Sequence, residues 1–205
     1  MAKPKKARAE PKPAPPKRKP TRAIWIILAL ILVGGGIGGY FAFVQKSDNS
    51  TQETDNPMQN PDNPVAVIEL AKGGTIEMEL YADDTPKTVD NFVKLVNKKY
   101  YDGLKFHRVE PGFVVQGGDP EGTGQGGPGY TIEDEPSKNL HVRGAVGMAK
   151  SQAPNSAGSQ FYICLGDASF LDGKYTVFGN VIKGMEYVDR IEIGDKMKSV
   201  TMKKP

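Results

Sequence analysis

The sequence predicts an all-β, mainly stranded domain, either a barrel or a sandwich, capped by two helices and preceded by one transmembrane helix. Two observations lead to this prediction. Residues 65–205 contain eight short apolar or alternating runs between Gly-rich turns, and only two stretches have helical spacing. Residues 23–44 contain no charged side chain and are long enough to cross a bilayer.

The first segment, residues 1–22, is a basic and proline-rich tail. It carries nine Lys or Arg against one Glu, and six of the 16 prolines of the chain. Such a stretch cannot bury enough apolar surface to offset its ordering entropy, so we predict disorder. Residues 23–205 carry a net charge of −5, and no nucleic-acid-binding surface is expected there. A nucleic-acid-binding arm is the alternative interpretation of the tail alone.

The second segment, residues 23–44, is predicted to be an uncleaved signal-anchor helix. Trp25 and Tyr40 lie near its two ends, where aromatic residues suit the membrane interfaces. The basic tail precedes the apolar run, so the positive-inside rule places the N-terminus in the cytoplasm and the remainder outside the cell membrane. A cleaved signal peptide is the alternative, but its basic region would be unusually long and no A-x-A site follows.

Residues 45–64 are polar and rich in Asn, Asp and Pro, which is typical of a linker. The domain then begins with strands at 65–70 and 75–81 around Lys72-Gly-Gly, a hairpin signature. A helix follows, with Thr85 as its cap and Pro86 at its first position. Further strands are predicted at 104–109, 112–117, 144–149, 159–165, 175–182 and 197–203, with a second helix at 185–191.

Several classes of chemistry are excluded by composition. One Cys and two His leave no disulfide framework, Cys-rich zinc site or His-built metal centre, and we expect no metal and no cofactor. The run from Gly122 to Gly127 fits G-x-G-x-x-G by letter, but no strand precedes it and no helix follows, which favours a mobile glycine loop. Cys164 lies in an apolar strand and is expected to be an inert core thiol.

Three motifs carry a family resemblance. Residues 100–119 read YYDGLKFHRVEPGFVVQGGD, residues 157–161 read AGSQF, and residues 171–179 read LDGKYTVFG. In order and spacing they resemble the cyclophilins, the cyclosporin-binding peptidyl-prolyl cis-trans isomerases, over essentially all of residues 65–205. The resemblance implies a closed eight-stranded antiparallel barrel capped by two helices, and an enzyme that accelerates rotation about X–Pro bonds.

The resemblance also implies the site. It assigns the catalytic role to Arg108, with Gln116 orienting that side chain and contacting the substrate backbone. The residues that it places around the proline ring and the peptide groove are Phe113, Val114, Ala149, Lys150, Gln160, Tyr162, Phe170, Leu171 and Tyr175. A fixed cation that donates to the prolyl nitrogen favours the twisted amide selectively, because that nitrogen becomes pyramidal and basic only there.

The chain departs from the best-known members at four of these positions. It has Val114, Tyr162, Phe170 and Tyr175 where those members carry Met, Phe, Trp and His. Phe170 lacks the indole N–H donor, so weaker cyclosporin binding with intact isomerisation is expected. We expect the hydroxyl of Tyr162 to lie at the rim of the proline pocket.

The two histidines are not predicted to be catalytic. His107 precedes Arg108 on a strand, so its side chain is expected on the opposite face. His141 lies beside a loop and is expected to be solvated.

The resulting hypothesis is a membrane-anchored isomerase with a monomeric catalytic domain. Its expected partners are proline-containing polypeptides, namely secreted or envelope proteins that fold outside the cell membrane. The alternative is a non-catalytic module that captures a proline-containing segment in the same groove, as a holdase or scaffold. An intact pair of Arg108 and Gln116 favours the enzyme.

Overall fold

The computed structural model describes Asn60 and residues 62–204. The prediction of eight strands and two helices for the domain is confirmed, although most elements are shorter than predicted. The strands and helices are β1 (Val65–Leu70), β2 (Thr75–Leu80), α1 (Pro86–Asn97), β3 (Arg108–Glu110), β4 (Val114–Gly117), β5 (Ala145–Met148), β6 (Phe161–Cys164), β7 (Val177–Lys183), α2 (Met185–Val188) and β8 (Met197–Met202). A 3₁₀ turn, Ser169–Leu171, lies between β6 and β7.

All eight strands form one antiparallel sheet in the order β3-β4-β6-β5-β7-β2-β1-β8. The segments that precede the two edge strands are themselves joined, through an antiparallel bridge between Lys105 and Lys196. The N–H of Phe106 donates to the carbonyl of Asp195 over 2.8 Å at the same seam. The sheet therefore curls until its two edges meet. Of the two predicted architectures, a barrel and a sandwich, the structure has the barrel.

The barrel interior holds the main apolar core, and α1 contributes to it. Alternate residues of β1 are buried, and so are Ile76, Met78 and Leu80 of β2, as the alternation in the sequence predicts. Glu79 of β2 is buried as well, although the alternation predicts it on the solvated face. Phe92 of α1 is fully buried, and its ring centroid lies 5.0 Å from that of Tyr101, 5.6 Å from that of Phe161 and 5.3 Å from that of Phe178. These aromatic contacts hold α1 against the strands.

A second, smaller apolar cluster lies on the other face of the sheet. It comprises Val114, Ala145, Tyr162, Cys164, Ala168 and Val177. Because side chains alternate along a strand, β4 and β6 supply both clusters, with Val115 and Ile163 in the interior core. This outer cluster forms the base of the pocket described below.

The start of α1 differs from the sequence prediction. Thr85 is the cap residue and Pro86 is the first helical residue, but the Thr85 hydroxyl donates to the carbonyl of Tyr81 and does not cap the helix. The carboxylate of Glu135 caps the helix instead, because it accepts hydrogen bonds from the backbone N–H groups of Lys87 (2.9 Å) and Thr88 (2.6 Å). A carboxylate is favourable there because the helix N-terminus is positive.

The second helix is also shorter than the predicted 185–191. It ends at Val188, and after Asp189 the N–H groups of Arg190 and Ile191 donate to the carbonyl of the third residue before them, Tyr187 and Val188. Such bonds tighten the chain into turns in place of continuing an α-helix.

No helix among Asn60 and residues 62–204 is long and apolar enough to cross a bilayer. The predicted tail (1–22) and anchor (23–44) lie outside the described residues, as does most of the predicted linker (45–64).

Candidate active site

Nine of the eleven predicted site residues line one pocket of about 270 Å³ on the outer face of the sheet. They are Arg108, Phe113, Val114, Gln116, Ala149, Lys150, Tyr162, Leu171 and Tyr175. The other two lie close by. Gln160 lines an adjacent cavity of about 410 Å³, and Phe170 is 61% exposed, with its ring centroid 5.4 Å from that of Phe113.

The strand register brings the central residues together. Arg108 of β3 is paired with Gln116 of β4, and Gln116 is paired in turn with Tyr162 of β6. Directly paired residues point to the same side of a sheet, with Cβ atoms about 5 Å apart. The predicted pocket thus results from three adjacent strands, although Arg108 and Tyr162 are 54 residues apart in the chain.

A chain of hydrogen bonds runs from Arg108 into the neighbouring cavity. Nη1 of Arg108 donates to Oε1 of Gln116 over 3.0 Å, and Nε2 of Gln116 donates to Oε1 of Gln160 over 2.9 Å. Nε2 of Gln160 then donates to the carbonyl of Gly126 over 2.9 Å. Since every donor in this chain points the same way, the orientation of both amides is determined. The predicted contact of Gln116 with Arg108 is present.

The glycine loop at the end of this chain is organised by Asp119. The buried carboxylate accepts hydrogen bonds from the N–H groups of Glu121 (2.8 Å), Thr123 (2.9 Å) and Gly124 (2.5 Å). Burial alone would raise the pKa of Asp119, but hydrogen bonds from backbone N–H groups, among them those of Glu121 and Gly124, outweigh it and hold the pKa below its ordinary value. A Cβ at Gly126 would lie 2.1 Å from Oδ1 of Asp119, so that position requires glycine.

Lys150 lines both cavities, and two neighbouring side chains hold its own side chain in place. Its Nζ donates to Oδ2 of Asp134 over 2.8 Å and lies 5.9 Å from the ring centroid of Tyr175. The hydrogen bond from Lys150 lowers the pKa of Asp134. The side chain of Lys150 is therefore fixed by Asp134 and Tyr175 at the edge of the pocket.

The prediction that His141 is solvated is wrong. Its side chain is fully buried, with Nδ1 2.7 Å from Oδ1 of Asp172 and Nε2 2.8 Å from the hydroxyl oxygen of Tyr162. Oδ1 of Asp172 also accepts from the backbone N–H of His141, and these two hydrogen bonds lower the pKa of the Asp172 carboxyl. The ring turns inward because both of its nitrogens find partners there, 31 and 21 residues away.

The hydroxyl of Tyr162 is accordingly not at the pocket rim, which corrects a second expectation. The residue is only 5% exposed, and burial raises the pKa of the phenol far above its ordinary value. Gly147 makes this placement possible, because a Cβ there would lie 2.2 Å from Cζ of Tyr162. A neutral imidazole that donates from Nδ1 to Asp172 accepts at Nε2 from the Tyr162 hydroxyl.

The prediction for Cys164 is confirmed. Cys164 is fully buried and burial raises the pKa of its thiol to about 12, so it is an inert core residue. The His107 ring lies beside Gly124, apart from the Arg108 guanidinium and its partners. Burial lowers the pKa of His107, and neither ring nitrogen has a hydrogen-bond partner within the described part of the chain.

Sequence reasoning missed one residue in contact with Arg108. Oε1 of Glu110 accepts from Nε of Arg108 over 2.9 Å and from Nη2 over 2.7 Å. The signal was available in the sequence, since residues two apart on a strand share a face. The guanidinium carbon also lies 5.7 Å from the ring centroid of Phe113. The site thus combines an apolar pocket with an arginine that is held from two sides.

Known proteins are similar to this chain over the domain that carries the pocket. Residues 65–205 match the family described as "Cyclophilin type peptidyl-prolyl cis-trans isomerase/CLD". Peptidyl-prolyl cis-trans isomerase B of Bacillus subtilis is 50% identical over 133 residues, which are 64% of this chain and 92% of that protein. A peptidyl-prolyl cis-trans isomerase of Helicobacter pylori is 46% identical over 131 residues, 62% of this chain and 80% of that protein.

A solved structure has the same fold. It is a Cryptosporidium parvum cyclophilin type peptidyl-prolyl cis-trans isomerase, crystallised in the presence of the dipeptide Ala-Pro. It superposes with a TM-score of 0.64 at 31% sequence identity, covering 69% of this chain and 99% of that one.

The buried hydrogen bond under the pocket yields a stability prediction. Tyr162→Phe leaves Nε2 of His141 buried without a partner, and should lower the free energy of unfolding by about 1–3 kcal/mol. The matched control is Tyr175→Phe, because Tyr175 lines the same pocket and its hydroxyl makes no hydrogen bond to a described residue. That control should stay within about 0.5 kcal/mol of wild type. Urea unfolding followed by circular dichroism measures both, and equal losses in the two variants would contradict the assignment.

Proposed function

The chain belongs to the cyclophilin-type peptidyl-prolyl cis-trans isomerases, and from this premise we propose how its pocket catalyses the rotation about X–Pro bonds and where it does so. The reaction breaks no covalent bond. Its barrier is about 18–20 kcal/mol because the amide C–N bond has partial double-bond character. A catalyst therefore needs only to bind the twisted amide more tightly than the planar one.

The proposed catalytic group is the guanidinium of Arg108. Rotation breaks the amide resonance, so the prolyl nitrogen becomes pyramidal and regains a basic lone pair. A fixed N–H donor stabilises that state selectively, since the planar amide nitrogen is a poor acceptor. Arginine suits this role because it stays charged and its planar fork can be held by neighbours.

The proline ring is proposed to bind in the apolar part of the pocket, which is formed by Phe113, Val114, Tyr162 and Leu171. Binding there displaces water from the reacting amide, and water stabilises the planar, charge-separated form. The single observation that carries this proposal is the position of Arg108, hydrogen-bonded to Gln116 at the same pocket.

The peptide on either side of the proline is proposed to lie extended across the groove. Gln116, Ala149 and Lys150 line both cavities, so a segment that leaves the proline pocket passes these residues and reaches Gln160. The related Cryptosporidium parvum isomerase was crystallised in the presence of Ala-Pro, which supports proline-containing peptides as ligands of this pocket. With Phe170 in place of an indole, weaker cyclosporin binding is proposed.

The proposed location is the outer side of the cell membrane. The uncharged run of residues 23–44 and the nine basic residues before it support an anchor with a cytoplasmic N-terminus. The domain of residues 65–205 would then act on secreted and envelope proteins, as an aid to their folding.

The catalytic proposal predicts the effect of Arg108→Ala. In the full-length protein, kcat/KM for a short Ala-Pro peptide should fall by about 10²–10³-fold, the usual cost of removing a donor that acts in the transition state. The control is Arg143→Ala, which removes an arginine of similar exposure (48% against 44%) whose ion pair is with Asp189. That variant should keep the wild-type rate in the same protease-coupled or NMR exchange assay.

Two results would contradict the catalytic proposal. A folded Arg108→Ala variant with the wild-type rate would remove Arg108 from catalysis. A wild-type protein that binds the peptide without accelerating exchange would indicate the non-catalytic binding module.

The location predicts the outcome of topology fusions. Alkaline phosphatase fused after Val44 should be active, because that enzyme folds with its disulfides only outside the cytoplasm. The same fusion after Arg22, ahead of the apolar run, should be inactive at equal protein level. An inactive fusion after Val44 would overturn the extracytoplasmic assignment.

A further inference from the structure

Arg108 is held by a carboxylate as well as by an amide. Oε1 of Glu110 accepts from two of its nitrogens, Nε at 2.9 Å and Nη2 at 2.7 Å, while Oε1 of Gln116 accepts from Nη1 at 3.0 Å. A guanidinium has five N–H donors. These contacts use three of them, and no other described residue accepts from this side chain. One N–H on each terminal nitrogen is left for a bound peptide.

Arg108 needs such a partner because it lies at the surface. Its side chain is 44% exposed, and a free arginine there would exchange among many rotamers. A single hydrogen bond to Gln116 holds one edge of the guanidinium, and by itself it would let the group rotate about that bond. A second acceptor on the opposite edge determines the plane of the group as well as its position.

The location of Glu110 suits this task. It lies two residues after Arg108 on β3, so both side chains project from the same face of the strand. Its own side chain is 51% exposed, so solvent and salt screen the carboxylate and weaken its long-range effect on the positive charge of Arg108. The hydrogen bonds from Arg108 to Glu110, which orient the guanidinium, act at short range and are not weakened in this way.

From this geometry we infer that Glu110 is a positioning residue, which fixes the guanidinium of Arg108 so that its two remaining N–H donors face the bound X–Pro bond. The inference rests on the proposed catalytic role of Arg108. It concerns orientation, so loss of Glu110 lowers kcat more than it changes KM.

The competing hypothesis is that the carboxylate of Glu110 slows catalysis. An ion pair can also damp catalysis, by drawing the guanidinium away from the peptide or by neutralising it. In that case removing Glu110 would raise the rate. The two effects are distinguished by the sign of the change and by the behaviour of Glu110→Gln, which keeps an acceptor oxygen and loses the charge.

The test is a double-mutant cycle in the full-length protein, with kcat and KM measured for an Ala-Pro peptide. Glu110→Ala should lower kcat by about tenfold with less than about a twofold change in KM. Glu110→Gln should keep more than about half of the wild-type kcat, because its amide oxygen still accepts from Nε and Nη2. In the Arg108→Ala background, Glu110→Ala should have no further effect.

The matched control is Glu69→Ala. Glu69 is also on a strand, is 46% exposed and is paired with Lys198 at 2.7 Å, but it does not line the pocket. It should leave kcat and KM unchanged, which separates an effect on Arg108 from a general effect of losing a surface ion pair.

An NMR readout reports on orientation directly. The ¹H–¹⁵Nε signal of Arg108 should show slow solvent exchange in wild type and in Glu110→Gln, and fast exchange in Glu110→Ala. A role of Glu110 in stability alone would not change that signal.

Two outcomes would overturn the inference. One is a Glu110→Ala variant as active as wild type or more so. The other is a loss of the same size in the presence and absence of Arg108. If Arg108→Ala alone is fully active, the catalytic proposal fails first, and the cycle shows this independently of Glu110.

Discussion

The register of β3, β4 and β6 is the constraint on which the pocket depends. It pairs Arg108 with Gln116 and Gln116 with Tyr162, and so aligns the polar and apolar halves of the site. On the other face of β4 and β6, Val115 and Ile163 are fully buried in the barrel core. A slip of one residue would turn these apolar side chains outward and the site residues inward. The packing of the core therefore also sets the geometry of the pocket.

The pocket is supported by polar contacts on two sides. On one side Arg108 is held by Glu110 and Gln116, and the chain of amides continues to the glycine loop around Asp119. On the other, buried His141 ties Tyr162 to Asp172, the residue that follows pocket-lining Leu171. Both arrangements reduce the motion of side chains that a proline-containing peptide would meet. Preorganisation of this kind is where electrostatic catalysis gains most of its effect.

The sequence predicted the parts of this site that depend on motif and local periodicity. Alternation located β1 and β2, and the Phe-His-Arg and Val-Val-Gln runs identified Arg108 and Gln116 through the family resemblance. It could not predict the burial of His141 or the capping of α1 by Glu135. Those depend on partners 31 and about 47 residues away, which only the folded chain brings together. Glu110 differs, since its spacing of two residues from Arg108 on a strand already indicates that both side chains lie on one face.

Arg108 is proposed to act through the fixed direction of its donors as well as through its charge. The most direct test compares Arg108→Lys with wild type in the full-length protein, by NMR exchange of an Ala-Pro peptide at saturating concentration. Lysine keeps the charge but has no planar fork for Gln116 and Glu110 to hold. Peptide binding should stay within a few-fold of wild type, and cis–trans exchange on the bound peptide should be slower by about 10-fold or more. Exchange at the wild-type rate in Arg108→Lys would contradict it.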